Sequence, residues 1–247
     1  MNICHKLEIS NISKSFGEKN VLKDISVHLD KGEIVSLLGA SGAGKTTLFN
    51  IISGLLKPDG GKIFLDGTEI TNITGKVSYM LQKDLLMPYK TVIENISLPL
   101  ILKGVKKDVA FAQVDKHFKT FGLDGYQHKY PKELSGGMCQ RAALLRTYMF
   151  SDNVALLDEP FSALDTITKG MLQSWYLEIM EEIKLSTIFI THDIDEAIYL
   201  SDRIYVLAKG HIAKELKIDC IKPRTKEFML TSEFLDYKRE IIKSIKQ

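Results

Sequence analysis

The chain has 247 residues, 45% hydrophobic and 26% charged, a balance that supports a sizeable buried core and excludes disorder as the main state. Its 33 basic and 31 acidic residues leave a formal charge of +2, so no general attraction to nucleic acid or to an anionic surface exists and any partner must be read from a site. The longest apolar runs, IVSLLGA (34–40) and ISLPLIL (96–102), fall far short of the roughly 20 residues of a spanning helix. The polar start lacks a signal-peptide core, and Cys4, Cys139 and Cys220 match no disulfide framework or zinc spacing. The expectation is a cytoplasmic location.

In chain order, EIVSLLG (33–39) is short, nearly all apolar and closed by glycine, the pattern of a parallel strand buried on both faces, and KTTLFNIISGLL (45–56) supplies a following helix. KIFLDGTEI (62–70) places an Asp-Gly turn between β-rich runs, which predicts an antiparallel addition. Residues 90–150 read as helical with no clear strand. NVALLDEP (153–160) then leads into a helix over 165–183, and STIFITHD (186–193) leads into IDEAIYLS (194–201). RIYVLAKGHIAKEL (203–216) predicts a second antiparallel addition about a Lys-Gly turn, and a helical tail follows from 217. Three strand-then-helix units predict an α/β fold with a mostly parallel sheet and helices on both faces. With no repeat or low-complexity linker, the expected organisation is one domain over 1–247: a core of 1–89 and 151–216, a helical subdomain over 90–150, and the tail.

GASGAGKTT (39–47) matches the phosphate-loop pattern G-x-x-x-x-G-K-[ST] and stands between a buried strand and a helix start, where the chemistry requires it. The backbone of Gly39, Ala40, Ser41, Gly42, Ala43 and Gly44 can wrap phosphates, and the helix dipole adds to the attraction. Lys45 brings a positive charge to the β- and γ-phosphates, Thr46 offers a hydroxyl to Mg2+, and Thr47 belongs to the same nucleotide-binding set. A second glycine-rich stretch, LSGGMCQR (134–141), has in Ser135, Gly136 and Gly137 the makings of another phosphate cradle. At the end of VALLDEP, Asp158 and Glu159 fall on opposite faces of a strand and so serve different purposes. Asp158 is the candidate to hold Mg2+ through water, and Glu159 the candidate to take a proton from an attacking water. In isolation the commoner reading of such a pair is a solvated cap of the following turn.

GASGAGKTT, LSGGM, ALLDEP, SALD (162–165) and THD (191–193) together resemble the ATP-binding cassette (ABC) ATPases over almost the whole chain. The resemblance implies a P-loop NTPase (RecA-like) core, a small antiparallel β subdomain and a helical subdomain. It also implies a head-to-tail homodimer with two ATP molecules, each held between the phosphate loop of one chain and the signature of the other, so that the second cradle serves the partner's γ-phosphate. Four further positions follow from it. Phe16 resembles the residue that stacks on adenine, against a core alternative. Gln82 resembles the glutamine that contacts Mg2+ and the attacking water, against an ordinary loop residue. His192 resembles the histidine that meets the γ-phosphate, against a satisfied polar residue at a strand end. Asp165 resembles the residue that bridges the dimer, and can cap the 165–183 helix at the same time.

Two departures are visible: Met138 replaces the usual glutamine after the signature glycines, with activity expected to survive, and Thr147 replaces a small apolar residue, with an effect expected on helix packing. Cys139 reads as a small buried hydrophobe. The loop Leu85-Leu86-Met87-Pro88-Tyr89 suits either a groove for a helix of a transmembrane permease or ordinary packing. EPFSALD and THDIDEA resemble importer cassettes, in particular the nitrate, sulfonate, taurine and thiamine-precursor type. That implies a peripheral ATPase on the inner face of the cell membrane, acting on permease subunits, served indirectly by a solute-binding protein and without a nucleic-acid partner. The alternatives are an export or lipoprotein-release cassette and a soluble ABC ATPase acting on nucleic acid or ribosomes.

Overall fold

The computed structural model describes residues 5–151, 153–162, 164–220 and 224–245. Cys4 and Ala163, the second residue of SALD, lie outside the described residues, as do 221–223 of the tail.

The chain opens with two strands, β1 (Leu7–Phe16) and β2 (Lys19–Leu29), followed by β3 (Ile34–Leu38) and helix α1 (Lys45–Ile52). Next come β4 (Gly60–Leu65), β5 (Thr68–Glu69) and β6 (Ser78–Met80), then α2 (Val92–Leu102), α3 (Lys107–Asp115) and α4 (Gly136–Phe150). The remainder is β7 (Val154–Asp158), α5 (Thr166–Ile183), β8 (Ser186–Thr191), α6 (Ile194–Leu200), β9 (Arg203–Ala208), β10 (His211–Lys217) and α7 (Ser232–Ile245). The large sheet has the order β10-β9-β3-β8-β7-β6, and a smaller antiparallel sheet has the order β2-β1-β4-β5.

Pairings among β6, β7, β8, β3 and β9 are all parallel, and β10 alone joins antiparallel. Every residue of β3, β7 and β8 is buried, which is why these strands read as continuous apolar runs. Strand alternation sorts their side chains into two cores. Val35, Leu37, Val154, Leu156, Ile188 and Ile190 face the antiparallel sheet and α1, whereas Ile34, Leu38, Ala155, Leu157 and Phe189 face the packing that includes α2 and α4–α6. One face of the large sheet is therefore covered mainly by strands rather than helices.

Two local expectations change, and three strands lie where the sequence raised no expectation. The helix after the phosphate loop stops at Ile52 with Ser53 as its cap, not at 56. The 203–216 pair is not wholly an antiparallel addition, because β9 runs parallel to β3 and only β10 reverses. Strands β1 and β2 carry no clean alternation in sequence, because Asn11 and Asp24 take left-handed backbone and the β1–β2 register shifts at several points. Strand β6, at three residues, is too short to show a period.

Near the signature, Thr147 and Cys139 are absorbed by packing. The buried Thr147 hydroxyl donates to the Ala143 carbonyl at 2.8 Å, satisfying itself inside α4. The half-buried Cys139 thiol faces the Pro131 carbonyl at 3.7 Å, and burial pushes its pKa up, so it behaves as a small apolar group.

The 85–89 loop divides. Leu86 is 8% exposed and belongs to the core, whereas Leu85 and Tyr89 are 53% and 73% exposed. The buried Asn95 side chain bonds Met87, Lys90 and Thr91 backbone atoms. Arg146 of α4 donates to the Asp84 and Leu85 carbonyls. The packing alternative thus holds for Leu86, whereas Leu85, Pro88 and Tyr89 are exposed and Met87 is partly so.

Candidate functional site

Residues 39–47 leave β3 and enter α1 as a tight loop. Two of its glycines are required by geometry: a Cβ on Gly39 would come 2.5 Å from the Leu207 carbonyl oxygen, and Gly44 has φ 104° with Leu22 and Val21 against it. No acidic residue occupies the first turn of α1, so its free N–H groups and dipole are open to an anion. Lys45 is buried, and its Nζ donates to the Gly39 and Ala40 carbonyls at 2.7 and 2.9 Å. Burial lowers its pKa, while the charges of Glu159 and Asp158 pull it back up. Ala43 closes the loop by donating to the Ala40 carbonyl.

Asp158, the last residue of β7, is buried beneath the loop. Its Oδ2 accepts from the Thr46 hydroxyl at 3.3 Å and from the Tyr79 hydroxyl at 3.4 Å. Burial pushes its carboxyl above the usual range; Glu159 adds to the rise, and the Thr46 and Tyr79 hydrogen bonds and Lys45 oppose it. Burial beside Asp158 likewise raises the Tyr79 hydroxyl.

Glu159 does not continue the strand, so the separation of the two carboxylates does not come from strand alternation. Its φ is +46°, a conformation costing about 1–3 kcal/mol in a residue with a side chain. Its N–H is held by the Ile190 carbonyl at 3.1 Å. The turn aims its carboxylate at two other loops: Oε1 lies 3.2 Å from His192 Nδ1, and Oε2 accepts from Gln82 Nε2 at 3.2 Å.

These groups border one groove of about 730 Å³, lined by Phe16, Ser41, Gly42, Gly44, Lys45, Thr46, Thr47, Gln82, Asp158, Glu159 and His192. Phe16 is 51% exposed at its edge, with Lys14 Nζ 5.6 Å from the ring centroid, so it is not a core residue. Lys19 and Val21 of β2 also line the groove and Tyr79 supports it from below. Sequence reading missed all three, since none belongs to a motif and each arrives through strand pairing.

Ser135, Gly136, Gly137 and Asp165 are not among the groove's lining residues. Ser135 caps α4, its hydroxyl accepting from the Met138 N–H at 3.3 Å. Asp165 caps α5, accepting from Ile167 and Thr168 N–H groups at 3.1 Å each. The two caps are neighbours, because a Cβ on Gly136 would lie 3.2 Å from Leu164. The phosphate-loop groove and the helix start at Ser135 are therefore separate surfaces of one chain.

The ABC transporter family profile matches residues 22–162. The chain is similar to the aliphatic sulfonates import ATP-binding protein SsuB of Bacillus cereus, at 41% identity with 96% of this chain and 94% of SsuB covered. It is 39% identical to the formylaminopyrimidine import ATP-binding protein ThiZ of Halalkalibacterium halodurans, covering 90% and 87%. Among solved structures it resembles a dimeric ATP-binding cassette in a post-hydrolysis state bound to ADP and phosphate, at 29% identity and TM-score 0.72, covering 87% of this chain and all of that one. No helix among the described residues is long and apolar enough to cross a membrane. With a phosphate loop, a carboxylate-lined groove and a family match over more than half its length, the chain belongs to the ABC transporter family as an ATP-binding, ATP-hydrolysing cassette.

Proposed function

We propose that the chain is the ATPase subunit of an importer of small solutes in the sulfonate, nitrate and thiamine-precursor class. It works as a head-to-tail homodimer bound to transmembrane permease subunits on the cytoplasmic face of the membrane, with a solute-binding protein delivering cargo. The observation that carries the catalytic part is the convergence of Gln82 and His192 on the Glu159 carboxylate beside the phosphate loop. Support for import comes from relatives named as import ATP-binding proteins.

In this reading the 39–47 backbone and the start of α1 bind the phosphates of ATP, and Lys45 exchanges its loop carbonyls for phosphate oxygens. Phe16 stacks on the adenine. Glu159 accepts the proton of the attacking water, with Gln82 and His192 orienting that water and its base. Ser135, Gly136, Gly137 and Asp165 complete the site of the partner chain. The donor set at Thr46, Asp158 and Gln82 is all hard oxygen, and Thr46 and Asp158 already meet at 3.3 Å, so it fits Mg2+. When bound, Mg2+ neutralises charge on the terminal phosphates.

Glu159→Gln tests the assignment. The variant binds ATP with near-normal affinity, loses roughly a hundredfold or more in turnover, and accumulates as a dimer on ATP addition, as light scattering will show. Normal hydrolysis would remove Glu159 from the mechanism.

A further inference from the structure

Beside the groove, and sharing Glu159 and His192 as lining residues, lies a smaller cavity of about 140 Å³. On its wall is an ion cluster that the mechanism above does not use. Lys169 of α5 places Nζ 2.8 Å from Asp193 Oδ2 and 2.9 Å from Glu196 Oε2. The Glu196 side chain is 4% exposed and also accepts from Gln173 Nε2 at 3.1 Å. Burial lowers the pKa of Lys169, but the two carboxylates outweigh it and the net shift is upward, so the ammonium stays charged.

The cluster sits between two turns. On one side, the Lys169 N–H donates to the Asp165 carbonyl at 2.8 Å, in the first turn of the helix that Asp165 caps. On the other, Asp193 follows His192 directly. Its Oδ1 caps α6 by accepting from Asp195 and Glu196 N–H groups at 3.0 and 3.2 Å, and its own N–H donates to the Thr191 hydroxyl at 3.0 Å. The backbone on both sides of His192 is thereby fixed, and Lys169 ties this turn to the first turn of the helix that Asp165 caps, with Gln173 one turn further along adding a hydrogen bond to Glu196. The lysine resists displacement because breaking the cluster leaves Glu196, the one buried member, as an uncompensated buried charge.

We infer that Lys169 is a positioning residue that holds the His192 turn against the Asp165 turn, so that docking of a second chain at Asp165 is transmitted to the His192–Glu159 hydrogen bond. This rests on the role of His192 proposed above.

The test compares Lys169→Met, Lys169→Arg and the double variant Lys169→Met/Glu196→Gln in the full chain. Two readouts are used: steady-state ATP hydrolysis, and the NMR signal of the His192 ring, assigned by its loss in His192→Asn. Lys169→Met should lower kcat between about tenfold and hundredfold with KM for ATP within about twofold, and should shift the His192 signal; Lys169→Arg should restore both. If Lys169→Met fails to fold, the double variant, which leaves no unpaired buried carboxylate, carries the same expectation. An unmoved His192 signal, or a kcat that Lys169→Arg does not recover, would overturn the inference. Should His192→Asn itself retain wild-type kcat, the catalytic reading of His192 would fall, while a shifted signal in Lys169→Met would still establish the tether.

Discussion

The phosphate-loop groove and the signature stretch of this molecule are built to different degrees. The phosphate-loop groove is a cavity with a buried lysine, a buried carboxylate and a second carboxylate met by two side chains. The signature is a helix start with a serine cap and two glycines, held beside Leu164 and offering no charged side chain. The first brings charged and polar side chains together within one chain; the second, in the proposed dimer, acts only where another chain presents a phosphate to it. A physical link joins them: the loop after Gln82 is anchored to α4, the signature helix, through Arg146 on the Asp84 and Leu85 carbonyls.

The most disruptive change expected is in that link. Leu86→Asp places a charge in the core and should cost several kcal/mol, enough to lose the fold. Tyr89→Asp, on exposed surface three residues on, should leave circular dichroism and basal turnover unchanged while reducing co-purification with the permease. Equal behaviour of the two would erase the division of the loop.

Next comes the groove itself. Asp158→Asn should lower turnover by roughly a hundredfold or more and raise the melting temperature at neutral pH. The sign follows from the buried carboxyl: its pKa is higher in the native state than in the unfolded chain, so the native state binds the proton more readily. The ionised group therefore costs stability at neutral pH, and that cost fades as pH falls through the native value. Melting curves across pH should show this component in the wild type and not in Asp158→Asn.

A smaller effect belongs to the rim. Phe16→Ala should weaken ATP binding by about 1–2 kcal/mol, roughly five- to thirtyfold, with kcat at saturation unchanged. Unaltered affinity in a nucleotide titration would take the ring out of the site.

The groove was more legible in sequence than the scaffold around it, for a physical reason. A phosphate loop must be contiguous, because neighbouring N–H groups do the binding, so residues 39–47 announce themselves. Asp158 and Glu159 stood out for the same reason, though the left-handed turn that separates them left no trace in the letters. Lys19, Val21 and Tyr79 reach the groove from strands remote in sequence, and no local pattern marks them. Leu86 looked like its exposed neighbours, because a loop has no period to say which side faces the core.

In the proposed dimer the signature of one chain completes the groove of another, and mixing two broken chains is the decisive test. Lys45→Ala disables the phosphate loop and Ser135→Arg disables the signature, so each homodimer carries two defective sites. In a mixed dimer, the intact loop of the Ser135→Arg chain meets the intact signature of the Lys45→Ala chain. Mg-ATP-dependent association of differently tagged chains, together with phosphate release, is expected in the mixture and in neither variant alone. Association and release no greater than in the separate variants, under conditions where the wild type gives both, would contradict it.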